Sequence, residues 1–406
     1  MRLAIVVQRY GGDILGGAEA YAERVAQLLG RHHQVEVLTS TAKDYRSWSS
    51  VLPAGCDEEA GVRIRRFQVV RGRAAWWPLL HELLLGGMPA EAFARLSPLE
   101  RKKFEERVRA WPDALQNAFL QGQGPHCPDL YEHLRVTPYD AHLFFTYLYP
   151  TTHDALAAIH PARAYIVPTF HDEPPALLPI VGRRLARARL LCSTQSEIAL
   201  LKRLHPGVTF DARHLGYGID LPEDRPDARP LEPPYLLFAG RIDPQKGIKE
   251  LLEWYALLRQ NLSSAPRLVL AGEVLMDLPQ MPGVEAVGYV SAERKISLMR
   301  GALAFVHPSN FESLGIVLLE AAACRTPLLV NAACEPMVEI CLEGRCGFPV
   351  RDGAELVVAV RRLVEDRALR TELGAAGRLW VEREFSLRRY EERLLEEFPL
   401  QQKRAN

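Results

Sequence analysis

From position 235 onward the chain alternates short apolar runs with longer amphipathic stretches, and that alternation leaves few folds open. The runs at 235–239, 268–271, 284–287, 303–306 and 328–331 are too short for helices and rich in Val, Leu and Phe. They read as strands buried on both faces, whereas 248–258, 292–300 and 314–323 carry the helical spacing of apolar residues. A parallel connection needs a crossover long enough to hold a helix, so this order predicts a parallel sheet covered on both sides. The expected class is α/β, with a doubly wound, Rossmann-like sheet.

The first half repeats the pattern. A strand over 3–8, a loop over 9–17, a helix over 18–29 and a strand over 34–39 make a βαβ opening. Residues 63–67 (Arg-Ile-Arg-Arg-Phe) alternate as an edge or half-exposed strand does, and strands resume at 142–145, 164–167 and 190–193. Between them, about 76–135 turns helical: Phe104, Val108, Trp111, Leu115 and Phe119 recur at steps of three or four, with Arg101-Lys102-Lys103 opposite. This excursion reads either as a layer over the sheet or as a surface for acceptor or membrane. Five prolines from Pro222 to Pro234, without apolar periodicity, mark a linker at 223–234. The expected domains are thus 1–222 and 235–382, followed by a tail, 383–406, whose amphipathic helix over 386–398 packs on one of them.

Composition excludes several classes. Lys plus Arg and Asp plus Glu both number 50, so no global field draws the chain to nucleic acid. Locally, 183–189 (Arg-Arg-Leu-Ala-Arg-Ala-Arg) forms a basic cluster that could meet anionic lipid or simply be a solvated helix face. Seven cysteines without a CxxC pair point to a reducing cytoplasm, and no apolar run reaches the roughly 18–20 residues of a membrane span. The expected location is cytoplasmic, with the inner membrane face as a candidate site of contact.

The stretch 307–323, HPSNFESLGIVLLEAAA, carries the most chemistry. Gly315 lets backbone approach a ligand, and the free N–H groups of a first turn containing Leu314, Gly315 and Ile316 suit phosphate. Glu312 and Glu320 frame that turn; roughly 80° apart if both were helical, they offer acceptors for sugar hydroxyls beside an anion site. Upstream, Gly240-Arg241-Ile242-Asp243-Pro244-Gln245-Lys246-Gly247 ends a strand, where ligands gather in open parallel sheets. Arg241 supplies a planar fork and Lys246 a point charge for phosphate oxygens, without the spacing of a P-loop. In the first half, Gly16-Gly17-Ala18-Glu19 opens a helix and His171-Asp172-Glu173 ends a strand. His171 is placed to meet a substrate hydroxyl or to be satisfied by loop backbone. Tyr147 and Tyr149 read as core packing or as platforms for an acceptor sugar. No HxH or HExxH spacing suggests a metal.

Taken together, Gly16 to Glu19, His171-Asp172, 216–220 (Gly-Tyr-Gly-Ile-Asp), Arg241 with Lys246-Gly247, and Glu312 with Glu320 resemble family 4 of the retaining glycosyltransferases, in the group 1 class. The resemblance implies a GT-B architecture: two Rossmann-like domains facing across a cleft, the first for acceptor, the second for a nucleotide-sugar. It implies that Arg241 and Lys246 hold the diphosphate, Glu320 the ribose, and Glu312 with the N–H groups of Leu314 to Ile316 the sugar and its phosphate. Gly17 would bring backbone to the diphosphate, His171 would sit near the anomeric carbon, and the last helix would cross back to the first domain. Expected chemistry is metal-independent, retaining hexosyl transfer from a UDP-, GDP- or dTDP-sugar to a glycan, lipid-linked sugar or similar hydroxyl, with no other cofactor. A nucleotide-sugar epimerase and a non-catalytic nucleotide-sugar or glycan binder are the alternatives.

Overall fold

The computed structural model describes residues 1–11, 14, 16–224 and 234–400. The chain divides into two compact units, Met1–Leu215 together with the residues from Glu391 onward, and Gly216–Tyr390. The sequence-based linker therefore starts later than the structural division, and its residues 225–233 lie outside those described.

The first unit holds a sheet of β1 (Arg2–Val6), β2 (Gln34–Ser40), β3 (Gly55–Glu59), β4 (Val62–Phe67), β5 (Ala141–Phe145), β6 (Ala164–Val167), β7 (Arg189–Cys192) and β8 (Ala212–His214). Its order is β3-β4-β2-β1-β5-β6-β7-β8, parallel except for the β3–β4 pair. The alternating strand at 62–67 is half-exposed as expected but is not the edge, because β3 covers it. β3 escaped the sequence reading: GCDEE has neither alternation nor apolar content and is mostly exposed. Helices α1 (Gly17–Gly30), α2 (Trp77–Leu85), α3 (Pro98–Arg109), α4 (Asp113–Gly122), α5 (Pro128–Val136), α6 (Pro150–His153), α7 (Pro179–Leu185) and α8 (Gln195–Leu204) complete the layers.

The excursion is α2 to α5. Its inward aromatics form their own cluster, with ring centroids at 5.4 Å for Trp77–Phe119, 5.0 Å for Phe93–Phe104 and 6.4 Å for Trp111–Phe119. α3 starts sharply because Ser97 and Glu100 cap each other's backbone N–H groups and Pro98 occupies the first position. Polar ties hold this layer to the sheet loops: Gln116 Oε1 accepts from Ile180 N at 2.8 Å, and Trp48 Nε1 donates to Gln123 O at 2.9 Å.

The second unit is a six-stranded, wholly parallel sheet of β9 (Tyr235–Ala239), β10 (Arg267–Ala271), β11 (Val284–Gly288), β12 (Ala304–His307), β13 (Leu328–Asn331) and β14 (Gly347–Val350), in the order β11-β10-β9-β12-β13-β14. Around it run α9 (Ile248–Asn261), α10 (Ala292–Gly301), α11 (Ile316–Ala323), α12 (Glu335–Glu343), α13 (Gly353–Glu365) and α14 (Arg367–Phe385). The core interleaves Leu236, Phe238, Leu268 and Leu270 of the sheet with Leu251, Tyr255 and Leu258 of α9 and Leu356, Val360 and Leu363 of α13. Each such side chain, fully buried, contributes about 1.5–3 kcal/mol. α11 corrects the expected helix over 314–323. Gly315 is left-handed (φ 78°) and caps the helix, so Leu314 and Gly315 stand outside it.

The last helix, α15 (Leu387–Glu397), straddles the division. Beyond Glu391 its contacts lie within the first unit: Arg189 Nη1 meets Glu397 Oε2 at 3.0 Å, and His33 Nε2 lies 2.9 Å from Phe398 O. The basic cluster at 183–189 is largely committed inside the same unit. Arg183 pairs with Asp113 at 2.6 Å, Arg184 donates to Asn117 Oδ1 at 2.5 Å, and Arg189 pairs with Asp211 at 2.8 Å. Arg183 and Arg189 stay partly exposed in these pairs, as a solvated face would be.

The loops after β9 and β10 touch at Gly272, which has φ 144° and a position where a Cβ would fall 1.9 Å from Gly240 O. Gly272→Ala should cost about 2–3 kcal/mol and lower the melting temperature by roughly 4–12 °C, read by thermal unfolding. Unchanged melting would show that the two loops do not need this approach.

Candidate functional site

In the second unit the strand order reverses between β9 and β12, and their carboxyl-end loops flank the switch point where open α/β sheets bind ligands. The β9 loop is shaped by Asp243, which caps a short 3-10 turn (Pro244–Lys246) by accepting from Lys246 N at 3.0 Å. Gly247 follows in the left-handed region (φ 73°), and a Cβ there would lie 2.5 Å from Pro308 O. Only glycine lets the β9 loop come this close to the β12 loop.

That approach brings Lys246 Nζ to 2.5 Å from Glu312 Oε1, while His307 Nε2 lies 3.2 Å from the same oxygen. His307, the last residue of β12, is 2% exposed, and its Nδ1 has no hydrogen-bond partner. The loop is braced by Asn331, which donates to Pro308 O at 2.9 Å and Asn310 Oδ1 at 2.8 Å. Burial alone would push the Glu312 carboxyl up. The Lys246 ammonium and the His307 hydrogen bond outweigh it and hold the group well below the ordinary value. Glu312 is therefore a fixed anion and acceptor, not a proton donor.

The other expected residues of this unit sit as follows. Arg241 is 41% exposed, with Nε 3.7 Å from Asp243 Oδ2, at the mouth of the same loop. Leu314 is buried, Gly315 caps α11 and Ile316 begins it. Glu320, mid-helix and half-buried, pairs with Lys295 of α10 at 2.7 Å. Glu312 and Glu320 do not share a helix, so the helical angle computed between them does not apply. Lys246, Glu312 and His307 are drawn together, and the Gly315 cap follows Glu312 along the same loop. Lys295 and His307 were missed because partners on different elements leave no local spacing. For Asp243 the local signal would have been its place directly before Pro244, the order of an N-cap and first helical position.

In the first unit Gly17 opens α1, and a Cβ on it would meet nothing within 4 Å. Space is short at Gly16 instead, where a Cβ would fall 2.0 Å from Glu19 Oε2. The reason is an ion pair that the sequence did not show: Arg9 Nη2 to Glu19 Oε1 at 2.5 Å. Nearby, the loops after β5 and β6 carry Thr146 (φ 64°) and Thr169 (φ 47°), two non-glycine residues in the left-handed region.

His171 Nδ1 lies 3.5 Å from Glu173 Oε1, and Tyr147 Oη donates to that oxygen at 2.6 Å. Burial alone would raise the Glu173 carboxyl, but His171 and Tyr147 bring it below its usual range. Asp172 turns instead to Arg101 of α3 and to Arg203 of α8. Tyr147 is buried with its ring 4.9 Å from Phe170, so it packs the core and is no sugar platform. Tyr149 stands edge-on to Trp48 at 5.0 Å. Among the described residues no group of three or more His, Cys, Asp or Glu is placed to hold a metal ion.

Glu312→Gln should cost about 1.5–3 kcal/mol at pH 7. Because the folded-state carboxyl is depressed, its stabilisation is full above the unfolded value near 4.5 and fades as pH falls below it. The gap between native protein and variant should therefore narrow below that pH in denaturant titrations. A gap constant down to pH 3 would contradict the ion pair.

Residues 222–380 match the model of glycosyl transferases group 1. D-inositol 3-phosphate glycosyltransferase of Pseudarthrobacter chlorophenolicus is 34% identical over 215 residues, covering 47% of this chain and 50% of that protein. Glycogen synthase of Mycobacterium tuberculosis is 32% identical over 165 residues, covering 38% and 39%. The chain thus spans half or less of the length of these two relatives. Among solved structures, sucrose-phosphate synthase from Thermosynechococcus elongatus superposes with a TM-score of 0.64 at 18% identity, covering 98% of each chain. Anabaena HepE in complex with UDP and glucose superposes at 0.62 with 14% identity, covering 98% of this chain and 99% of that one. At these identities the likeness is one of fold, and the fold is that of the GT-B glycosyltransferases. Over residues 222–380 the chain thus carries a segment that matches the glycosyl transferases group 1 family.

Proposed function

We propose that this protein is a family 4 type retaining glycosyltransferase, moving a hexosyl group from a nucleotide-sugar to a hydroxyl acceptor such as a glycan or lipid-linked sugar, without a metal or other cofactor. The observation that carries the reading is the Lys246–Glu312–His307 cluster at the switch point of the group 1 unit. It joins a cation for phosphate, a permanently ionised acceptor for sugar hydroxyls and a helix mouth capped by Gly315. A UDP-sugar is the first donor to test, since HepE was solved with UDP and glucose. Reaction in the cytoplasm, where such donors are made, fits the reading.

In this mechanism the bond from the anomeric carbon to the diphosphate oxygen breaks, and a bond from that carbon to the acceptor oxygen forms on the same face. The acceptor's proton leaves with the released diphosphate. Negative charge grows on the leaving oxygen, and fixed donors aimed there are usually the largest catalytic term. Arg241, Lys246 and the N–H groups of Gly315 and Ile316 fill that role. Lys246 is held ready by Glu312 before donor arrives, so little reorganisation is needed. Glu312 itself, ionised throughout, accepts from sugar hydroxyls, and Glu320 from the ribose. The first unit's part in this reading is His171, oriented by Glu173, and the helix that Gly17 opens.

Arg241→Ala and Lys246→Ala should each lower kcat/KM for the preferred donor by about 100- to 1,000-fold, or roughly 2.7–4 kcal/mol. The assay is turnover of UDP-, GDP- and dTDP-sugars with a panel of acceptors, alongside melting curves to check folding. Full turnover by the double variant would overturn the reading. The anomeric configuration of the product, read by NMR, should equal that of the donor; inversion would remove the retaining assignment.

A further inference from the structure

The start of the helical excursion brings three side chains near Glu173 that the proposed reaction leaves unused. Trp77 and His81 stand one turn apart on α2, and their rings stack with centroids at 4.8 Å and planes 21° apart. Trp77 is fixed from behind: it is buried against Phe119, and its Nε1 donates to Phe119 O at 3.1 Å. Arg73 lies over the same indole, its Cζ 4.5 Å from the ring centroid. One aromatic floor thus sets the places of a guanidinium and an imidazole. Arg9, Arg65, Arg66 and Arg101, also drawn in from solvent, each meet a carboxylate. Among the described residues Arg73 meets none. Its Nη2 donates to Tyr45 O at 2.9 Å, its buried Nε has no partner, and Nη1 is left for a ligand. A cation withdrawn from water without a counter-ion is costly, and an incoming anion would relieve that cost.

We propose that Arg73, with His81 and Tyr149, holds an anionic group, phosphate or carboxylate, carried by the sugar acceptor. Burial lowers the His81 imidazole below its ordinary value, with Glu173 opposing and Arg73 assisting, and the neutral ring still donates one N–H. Tyr149 is half-buried, and its hydroxyl feels Glu19 and Glu173 on one hand and Arg9 and Arg73 on the other. Burial and the two acids keep that hydroxyl protonated, so it too donates. Neither acid opposes an anion with free charge: Glu19 is paired with Arg9, and Glu173 is held by Tyr147 and His171. A hydroxyl-only sugar would leave the Arg73 charge uncompensated, whereas a phosphate or carboxylate would give it a charge-assisted bond. That the ligand is the acceptor rests on the transferase reading; its anionic character rests on these side chains.

The test is calorimetry of the full chain with glucose, glucose 6-phosphate and glucuronate, and with inorganic phosphate as competitor. The native protein should bind at least one of the anionic sugars about tenfold or more tightly than glucose, phosphate should displace it, and the order of the two tells phosphate from carboxylate. Arg73→Gln should weaken the anionic ligand by about 10- to 100-fold. His81→Phe keeps a ring stacked on Trp77 and removes the N–H, so it should melt as the native protein does and still lose several-fold in affinity. Arg183→Gln, a change of charge elsewhere in the unit, should bind as the native protein does. In turnover with a UDP-sugar, the ratio of kcat/KM for an anionic over a neutral acceptor should fall in Arg73→Gln, which mere loosening of the fold would not produce. Equal binding of glucose and both anionic sugars by the native protein, or undiminished binding by Arg73→Gln, would overturn the site. Selective anion binding without any transfer would tell against the transferase reading and leave the site standing; transfer with the same acceptor preference in native and Arg73→Gln proteins would do the reverse.

Discussion

The polar edge of the second unit depends on how one carboxylate is kept ionised away from water. Glu312 sits where burial favours the neutral acid, and two donors from different elements reverse that preference: Lys246 from the β9 loop and His307 from the end of β12. Neither would reach it without the backbone geometry beneath. Asp243 folds the turn that aims Lys246, and Gly247 removes the one carbon that would hold the two loops apart. A short chain of sterics and caps thus ends in an electrostatic arrangement suited to a polar, anionic ligand. Removing a donor from such a group leaves the charge uncompensated, so these side chains act together.

The first unit uses the same logic with different parts. Arg9 with Glu19, Glu173 with His171 and Tyr147, and Asp172 with Arg101 and Arg203 each satisfy an acid at or near the carboxyl edge of the sheet. Arg101 belongs to α3, so the excursion is tied to the loop bearing His171. A layer that covers the sheet also orients a candidate site residue. Its covering role shows in Trp77 and Phe119, which pack inward on each other.

The strands of the second unit were legible because a parallel sheet buried on both faces writes itself as dense apolar runs, as in Tyr235–Ala239 and Leu328–Asn331. β3 and β14 were not, since GCDEE and GFPV owe their pairing to neighbours rather than to composition. At the site, Arg241, Lys246, Glu312, Glu320 and Gly315 stood out because loops at strand ends seldom gather such residues without reason. Their partners did not stand out. Lys295 meets Glu320 and His307 meets Glu312 only once helix and strand are placed, and Arg9 reaches Glu19 across a loop. Gly16 and Gly17 were indistinguishable as letters. The structure separates them by what a single carbon would strike at one and miss at the other.

The near-contact of Gly247 with the Pro308 carbonyl has an implication for redesign. Two loops packed at that distance form one mechanical module, although some sixty residues of sequence separate them. Grafting the β9 loop from another scaffold while leaving the β12 loop native would transplant half of a mould, and the mismatch would surface at Lys246 even when every grafted residue is individually compatible. Exchanges aimed at a different ligand would have to carry both segments as a matched pair.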